Sequence, residues 1–473
     1  MSAPLKIGLI PANRNFFSDE LAAKMRAETI HALQSAGIEV TVPSELETKL
    51  GCVETREEAE VCGRLFRERD VAGIVVGAMN FGDEQGVALA VRAARLNVPI
   101  LLFGGQEQEV LTRATPRRDS FCGLISIAEA LRQIDVPYTV AERPICFPTD
   151  ASFAEEVTRF SAVCRLVKGI REARYGLVGT RPEAFWTCRT DEVALQQFGP
   201  TTVTIDLSEA LAAMRKMSPE DAEVQRALAD LKATTDVSAI GDESALARLC
   251  IFETFLRRFA EENALDALAV QCWSALQQEW GTCACTPMSR LSNSGLPAAC
   301  EADVLGALSM HALQIVSGTP AGLADWNNLH NEDDDLVNVW HCSAFAGCFA
   351  GETPRVCRNE ILGQNFGYER VAGTLEFRMK PQPLTLFRLS HDPKSGFCAC
   401  VAHGQVEDDP AQTFGAYGWT RIEGLLPFYR NVILRHFPHH VAFTSGHVGA
   451  ALEEAFGNYL GVEVFIPGGA AQR

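Results

Sequence analysis

The sequence contains no C-x-x-C pair, no G-x-G-x-x-G and no G-x-x-x-x-G-K-[ST] motif. Without those glycine motifs, which hold phosphates through the backbone, a nucleotide-binding loop has no support. The 16 cysteines include two C-x-C pairs, Cys283/Cys285 and Cys398/Cys400. Zinc ribbons and iron–sulfur clusters usually use other spacings. We therefore expect the cysteines to be free thiols that behave as small buried hydrophobic side chains.

Positive charge is also scarce, with 42 Lys and Arg against 60 Asp and Glu, a formal net charge of −18. A nucleic-acid-binding protein needs a basic surface, so we expect no nucleic-acid partner. No apolar run approaches the roughly 18 residues of a membrane helix. The opening MSAPLKIGLIP lacks the apolar core of a signal peptide. We therefore expect no membrane partner and a cytoplasmic location, where disulfides are rare.

The pattern of apolar runs divides the 473 residues into three regions. Residues 1–145 and 146–330 alternate short apolar runs with helical periods, as in KIGLI followed by a helix that Ser18 caps and Gly37 ends. This alternation predicts two Rossmann-like α/β domains with parallel sheets. Residues 331–473 contain short alternating runs separated by Pro and Gly, which predict a mostly antiparallel, barrel-like β domain.

The stretch CEADVLGAL (300–308) places Glu301 and Asp303 at the start of an apolar helix that Gly318 can end. The helix dipole favours an acid there by about 0.3–1 kcal/mol, so a structural role alone would explain Glu301. The next predicted strand, AGLAD, ends at Asp325. Two acids at one rim of a sheet could hold a divalent cation if an imidazole joined them.

The candidate imidazoles come from HHVAFTSGHVG and from VNVWH, which ends in His341. Neighbouring residues of a strand point to opposite faces, so His439 and His440 do not share a face. His447 follows a glycine at a predicted turn. The residues by themselves leave open which histidine is a ligand.

Taken together, these stretches resemble the L-fucose isomerase family, which is related to the L-arabinose isomerases. In that family a Glu opens the same helix, an Asp follows 24 residues later, and a His lies seven residues before the His of a G-H-V-G motif. The matching positions here are Glu301, Asp325 and His440, with G-H-V-G at 446–449. The resemblance implies that these three residues bind a catalytic Mn²⁺, with Co²⁺ or Mg²⁺ as other candidates. It also implies that Glu301 and Asp325 form the catalytic acid–base pair. By the same resemblance, residues 1–145 serve substrate recognition, residues 146–330 carry the metal-binding acids and residues 331–473 carry the metal-binding His.

The resemblance extends to the first strand, KIGLIPANR, and to the loops MNFGDE and FGGQEQE. In the family such loops reach the active site, some of them from a neighbouring subunit, which implies a homo-oligomer and specifically a hexamer. His341 and His447 could place substrate hydroxyls or orient the metal ligands. The substrate-binding residues that we predict are Arg14, Asn80, Phe81, Gln106, His341 and His447.

The resemblance thus implies a Mn²⁺-dependent aldose–ketose isomerase that acts on a small sugar through a cis-enediol, with a hydride shift as the competing mechanism. The expected substrate is an L-fucose- or D-arabinose-like aldose or a hexose modified at C6. The chain is shorter than the L-fucose isomerases, so a sulfoquinovose isomerase is an alternative within the family. A non-catalytic cytoplasmic sugar-binding protein and a metal-dependent aldolase are the alternatives outside it.

Overall fold

The computed structural model describes residues 4–342 and 344–467. The chain forms two compact units. The first holds the residues up to Lys168 together with Glu454–Gly461, and the second holds Gly169–Glu453 and the residues from Val462 onward. Within the described residues, no helix is both long enough and apolar enough to cross a membrane.

The first unit is built on a five-stranded, all-parallel sheet. Its strands are β1 (Lys6–Ala12), β2 (Glu39–Thr41), β3 (Gly73–Ala78), β4 (Ile100–Gly105) and β5 (Thr139–Cys146), in the order β2-β1-β3-β4-β5. Its helices are α1 (Asp19–Ser35), α2 (Arg56–Arg69), α3 (Glu84–Ala94), α4 (Ser120–Gln133) and α5 (Ala151–Glu172), the last of which continues into the second unit. Helices α2–α4 pack on one face of the sheet, and α1 and α5 pack on the other. Ser18 caps α1 as predicted, because its hydroxyl accepts from the backbone N–H of Leu21.

The second unit begins with a four-stranded parallel sheet in the order β7-β6-β8-β9. Its strands are β6 (Arg174–Val178), β7 (Thr201–Ile205), β8 (Ala267–Val270) and β9 (Ala298–Ala299). The helices of this region are α6 (Glu192–Phe198), α7 (Leu207–Met214), α8 (Ala222–Thr234), α9 (Glu243–Asn263), α10 (Ala275–Glu279), α11 (Cys285–Asn293) and α12 (Val304–Ser317). Gly318, with φ of 68°, ends α12 as the sequence predicts.

A nine-stranded, mostly antiparallel sheet forms the rest of the second unit. Its strands are β10 (Ala321–Leu329), β11 (Leu336–His341), β12 (Arg355–Arg358), β13 (Ala372–Arg378), β14 (Pro383–Asp392), β15 (Gly396–Val406), β16 (Ala416–Arg421), β17 (His440–Ser445) and β18 (Glu463–Phe465). The remaining helices are α13 (Glu360–Phe366), α14 (Leu425–Leu434), α15 (Gly449–Glu453) and, in the first unit, a π-helix (Glu454–Tyr459). Pairing of β15 with β16 closes β16-β11-β10-β17-β14-β15 into a barrel of six antiparallel strands.

The predicted fold class, two parallel-sheet α/β regions followed by a barrel-like β region, is confirmed. The expected boundaries at 145/146 and 330/331 do not coincide with the two units. The first unit continues through α5 to Lys168. The strand that we expected to close the second α/β region, β10, pairs with β11 and β17 in the barrel. A short buried apolar run such as AGLAD fits either kind of sheet, so the sequence alone could not place it.

Candidate active site

The register of two barrel strands brings Asp325 and His440 together. In the antiparallel pair β10–β17, Asp325 lies directly opposite His440. Directly opposed residues of an antiparallel pair project their side chains on the same face, with Cβ atoms about 4.5–5.5 Å apart. Two side chains that are remote in the sequence therefore become neighbours.

Glu301 reaches the same place from the loop between β9 and α12. Glu301 and Ala302 both have positive φ, 61° and 57°, and so turn the chain sharply between the two elements. Trp273 donates its indole N–H to Glu301 Oε1 at 3.2 Å. The other oxygen, Oε2, lies 3.2 Å from His440 Nε2, and Asp325 Oδ1 lies 3.6 Å from that same nitrogen. The structure thus places the three predicted metal ligands around one point.

The facing atoms of these three residues have no hydrogen-bond partner. Glu301 Oε2, Asp325 Oδ1 and His440 Nε2 are all buried atoms without a partner among the described residues. A single unsatisfied buried polar group costs about 1–3 kcal/mol, so three that converge indicate a place for a ligand. Two carboxylates and an imidazole suit a divalent cation such as Mn²⁺. The residues present therefore fit the metal that the sequence predicts.

Two more histidines flank this group. Ligand atoms of Asp325, His341 and His440 lie within 4.8 Å of one another, and so do those of Glu301, His439 and His440. Burial opposes a charge on His341, but Cys342, Asp325 and Glu301 outweigh burial and raise the pKa of His341 to about 9. His341 thus lies beside the proposed ligands. His439 does too, although the sequence analysis put it and His440 on opposite faces; the strand begins only at His440, so the alternation does not extend to His439.

A buried ion pair of Asp303 and Arg388 contacts the Nδ1 side of the His440 ring. Asp303 Oδ2 accepts from His440 Nδ1 at 2.7 Å, and Arg388 donates to both oxygens of Asp303 at 2.6 and 3.1 Å. Asp303 also caps α12 by accepting from the backbone N–H of Gly306 at 2.9 Å. A side chain at Gly306 would place its Cβ 2.6 Å from Asp303 Oδ2, so glycine is needed for this close approach. Since a carboxylate can only accept, the proton of this bond belongs to Nδ1, so Nε2 is the nitrogen that can release its proton and offer a lone pair to a cation.

Neighbouring charges shift the pKa values of three residues of the site. Burial opposes the imidazolium of His440, but Asp303, Cys188 and Glu301 outweigh burial and raise its pKa well above the ordinary value. Burial likewise opposes the charged form of Asp303, yet Arg388 and His440 hold its pKa far below the usual range. The pKa of Glu301 is also lowered, because His440, His341 and Trp273 outweigh its burial. A cation would therefore meet an anionic Glu301 and would compete with a proton for His440.

An aromatic side chain packs beside the site. The ring of Phe185 packs edge-on against Trp273 and His439, with centroids 5.3 and 5.4 Å away. Three residues later, Cys188 Sγ lies 4.0 Å from His440 Nδ1. The loop between β6 and α6 therefore forms an apolar wall beside the three proposed ligands.

Three of the predicted sugar contacts lie together in the first unit. The Arg14 guanidinium stacks 4.7 Å from the Phe81 ring centroid and pairs with Asp83 and Glu84. The backbone N–H of Arg14 donates to Asn80 Oδ1 at 3.0 Å. Arg14 is thus already neutralised by two acids, although an anionic sugar would need a free cation.

Gln106 and His447 have partners of their own. Gln106 follows β4 and accepts from Arg143 at 3.1 Å. His447 lies beyond the end of β17 opposite to His440, and its ring stacks on His403 with centroids 4.8 Å apart. The five steps of strand from His440 to Ser445 span about 16 Å, so His447 cannot be a neighbour of the proposed ligands.

Sequence reasoning missed most of the supporting residues. It noted Asp303 without a role, and it overlooked Arg388, Trp273 and Phe185. Arg388 did carry a signal, because it interrupts an apolar strand, PLTLFRLS, at a position that is buried in the structure. A charged residue at such a position needs a partner. No comparable signal marked Trp273 or Phe185.

Two known protein families match the N-terminal and C-terminal parts of the chain. Residues 8–171 match the family described as "Fucose/sulfoquinovose isomerase, N-terminal domain", and residues 339–466 match "L-fucose isomerase, C-terminal domain". A protein of Actinobacillus succinogenes 130z, described as a periplasmic solute-binding protein with bound D-allose, has a TM-score of 0.17 and 11% identity over 67% of this chain and 93% of that one. A superposition this poor carries no argument.

The curated relatives match over most of both chains. A "Sulfoquinovose isomerase" of Alkalicoccus urumqiensis is 29% identical over 87% of this chain and 88% of its own length. A protein of the same name from Priestia aryabhattai is 24% identical over 84% and 85%. A third, from Clostridium sp. (strain MSTE9), is 24% identical over 68% and 70%.

Proposed function

Because the chain belongs to the L-fucose isomerase family and is an aldose–ketose isomerase, we propose that it converts sulfoquinovose, a hexose with a sulfonate at C6, into the corresponding ketose. Glu301, Asp325 and His440 would hold the divalent cation of this reaction, with Mn²⁺ as the expected ion. The convergence of three unpartnered buried atoms at His440 Nε2 carries this proposal. The names of the curated relatives support the substrate.

The reaction moves a proton from C2 to C1 and shifts the carbonyl group. When bound, the cation supplies Lewis-acid stabilisation of charge on the sugar oxygens, worth several kcal/mol. Glu301 and Asp325 are the carboxylates that can take the proton and return it, through a cis-enediol of the sugar. Asp303 holds the Nδ1 proton of His440 and so directs Nε2 toward the site.

The surrounding residues prepare this pair for the proton transfer. Trp273 fixes Glu301 Oε1 and leaves Oε2 as the free oxygen. Phe185 and Trp273 pack edge to face beside Glu301, which is itself 8% exposed. A buried carboxylate held in one orientation is the arrangement that proton transfer from a weakly acidic carbon requires.

Isomerisation in D₂O tests the proton-transfer mechanism. We expect deuterium at C1 of the ketose and, after reversal, at C2 of the recovered aldose, because a carboxylate exchanges its proton with solvent. Proton and deuterium NMR of both sugars measures this. Absence of deuterium from both carbons would instead favour a hydride shift between them.

A panel of sugars with added Mn²⁺ tests the substrate, with NMR detection of the ketose. We expect kcat/KM for sulfoquinovose to exceed that for D-glucose, L-fucose and D-arabinose by about 100-fold or more, because the curated relatives are named for that sugar and a site with polar partners for one substrate group rejects analogues that lack it. Glucose is the matched control, since it differs only at C6. Faster conversion of L-fucose or D-arabinose would contradict the proposed substrate, and products of carbon–carbon cleavage would point to an aldolase.

We further propose that the protein is a homo-oligomer, by family resemblance a hexamer, in which loops of the first unit complete the active site of a neighbouring subunit. Arg14, Asn80, Phe81 and Gln106 are the residues to which this applies. The mass of the native protein in solution measures the number of subunits. Membership of an enzyme family decides against the alternative of a non-catalytic sugar-binding protein.

A further inference from the structure

Five cysteines form a continuous group directly beside Glu301. All sixteen cysteines are free thiols, and this group joins five that are well separated in the sequence. Cys285 Sγ lies 3.6 Å from Cys342 Sγ, and the remaining contacts link the thiols in a row. In the order of their contacts the five are Cys272, Cys300, Cys342, Cys285 and Cys283.

The fold explains why these thiols meet although the sequence has no C-x-x-C pair. Cys272 and Cys300 follow the ends of β8 and β9, which are parallel neighbours. Cys342 follows β11 in the barrel, and Cys285 begins α11. The carboxyl ends of neighbouring parallel strands share one edge of a sheet, and ligand sites form there. The group therefore lies at the edge from which Glu301 also projects.

Two of these thiols share a possible ion-binding point with Glu301. Ligand atoms of Cys272, Cys300 and Glu301 all lie within 4.8 Å of one another, and all three residues are buried. Zinc binds sulfur at about 2.3 Å and carboxylate oxygen at about 2.0–2.2 Å. Donors around one zinc ion are thus about 3.3–3.8 Å apart, a separation that small side-chain movements can reach from the observed arrangement.

Glu301 is the residue that this thiol group and the His440 group have in common. Trp273 donates to Oε1, while Oε2 lacks a hydrogen-bond partner among the described residues. That same oxygen faces His440. Thiolates favour soft cations such as Zn²⁺ and Cd²⁺, whereas carboxylate, imidazole and water suit Mn²⁺. Glu301 thus stands between two donor sets of different softness.

We propose that Cys272, Cys300 and Glu301 form a second metal site, selective for thiophilic divalent cations, which takes Glu301 away from Asp325 and His440 when it is filled. The two cysteines each release a proton to solvent and bind as thiolates, the carboxylate binds as it stands, and no electrons are transferred. Cys342, which contacts Cys300, is a fourth donor within the group. Zn²⁺ and Cd²⁺ thereby become inhibitors that act by displacing the ion of the isomerase site.

Cd²⁺ titration of the full-length protein tests the site by the ultraviolet charge-transfer absorbance of cadmium thiolates. We expect this band to saturate at about one Cd²⁺ per chain, with an amplitude of at least two thiolates. Cys272→Ser and Cys300→Ser should each remove most of the band. Cys250→Ser is the control, because Cys250 is a buried thiol of α9 outside the group, and it should leave the band unchanged.

The displacement is measured separately, by electron paramagnetic resonance of Mn²⁺. We expect Cd²⁺ to release bound Mn²⁺ from the wild type, and to do so at about tenfold or higher concentration in Cys272→Ser and Cys300→Ser. The expected release of Mn²⁺ rests on the proposed function, whereas the expected cadmium thiolate band does not. Absence of Mn²⁺ binding with an intact band would therefore count against the proposed function alone.

Three results would overturn the second site. They are absence of the thiolate band, its persistence in both serine variants, and retention of Mn²⁺ when the band is saturated, which would show that the second site does not take Glu301 from the first. If a serine variant does not fold, X-ray absorption at the zinc edge of the wild type decides instead. Two or more sulfur neighbours of the ion support the site, and fewer than two sulfur neighbours contradict it.

Discussion

Replacement of Glu301 by Gln is expected to lower kcat/KM for isomerisation by about 10³-fold or more, because acid–base catalysis and cation binding fail together. The glutamine oxygen can still accept from Trp273, which leaves the amide nitrogen facing His440 in place of Oε2. An N–H group cannot ligate a cation or take a proton from C2. Steady-state assays of ketose formation and Mn²⁺ binding by calorimetry measure both losses.

Glu279→Gln is the matched control for this variant. Glu279 is exposed and pairs with Arg215 on the surface, so its neutralisation should change neither activity nor Mn²⁺ affinity. Both variants should unfold at nearly the wild-type temperature. If Glu301→Gln kept its activity within about tenfold of the wild type, Glu301 would be neither a required ligand nor the base.

Asp303→Asn should weaken both the fold and the metal site. The variant leaves Arg388 as a buried charge without its counter-ion, which costs about 3–5 kcal/mol of unfolding free energy. If the amide oxygen keeps the helix cap at Gly306, the amide NH₂ faces His440 and donates to Nδ1. The histidine proton then moves to Nε2 and blocks the ligand atom, so Mn²⁺ affinity should fall about 10–100-fold. Denaturant unfolding and Mn²⁺ titration measure the two effects.

A double variant separates these two roles of Asp303. Adding Arg388→Met to Asp303→Asn removes the unpaired charge and should restore much of the stability. It should not restore Mn²⁺ affinity, because the asparagine still donates to His440. Asp242→Asn is the control, since Asp242 caps α9 without a buried arginine and Asn caps almost as well as Asp. Full Mn²⁺ affinity in Asp303→Asn would show that Asp303 does not set the proton position of His440.

Much of the local structure followed from short-range signals. The Ser18 cap, the stop of α12 at Gly318 and the alternation of strands with helices were readable because they depend on neighbouring residues only. Strand pairing was not readable in the same way. The run that became β10 is equally suited to a parallel sheet and to a barrel, and its partners β11 and β17 lie far along the chain. Its place was decided by long-range pairing.

In the candidate site, too, some features could be predicted from neighbouring residues and others depend on long-range pairing. The sequence singled out Glu301 and Asp325 as acids at a sheet rim, and resemblance to a family selected His440 from adjacent histidines. The structure places their facing atoms around one nitrogen, which no spacing could have shown. His447, predicted from the same stretch, lies beyond the far end of β17, because an extended strand separates it from His440.

By itself, the sequence determined which kinds of structural region and which reactive side chains this protein contains. These are the α/β and barrel regions, the acids and histidines, and sixteen thiols in an acidic chain. Only the tertiary structure decided which of them meet. It paired Asp303 with Arg388 behind His440, and it gathered Cys272 and Cys300 beside Glu301. The reason is physical, since local propensity acts over a few residues, whereas a site is made by strand register and packing between segments remote in the chain.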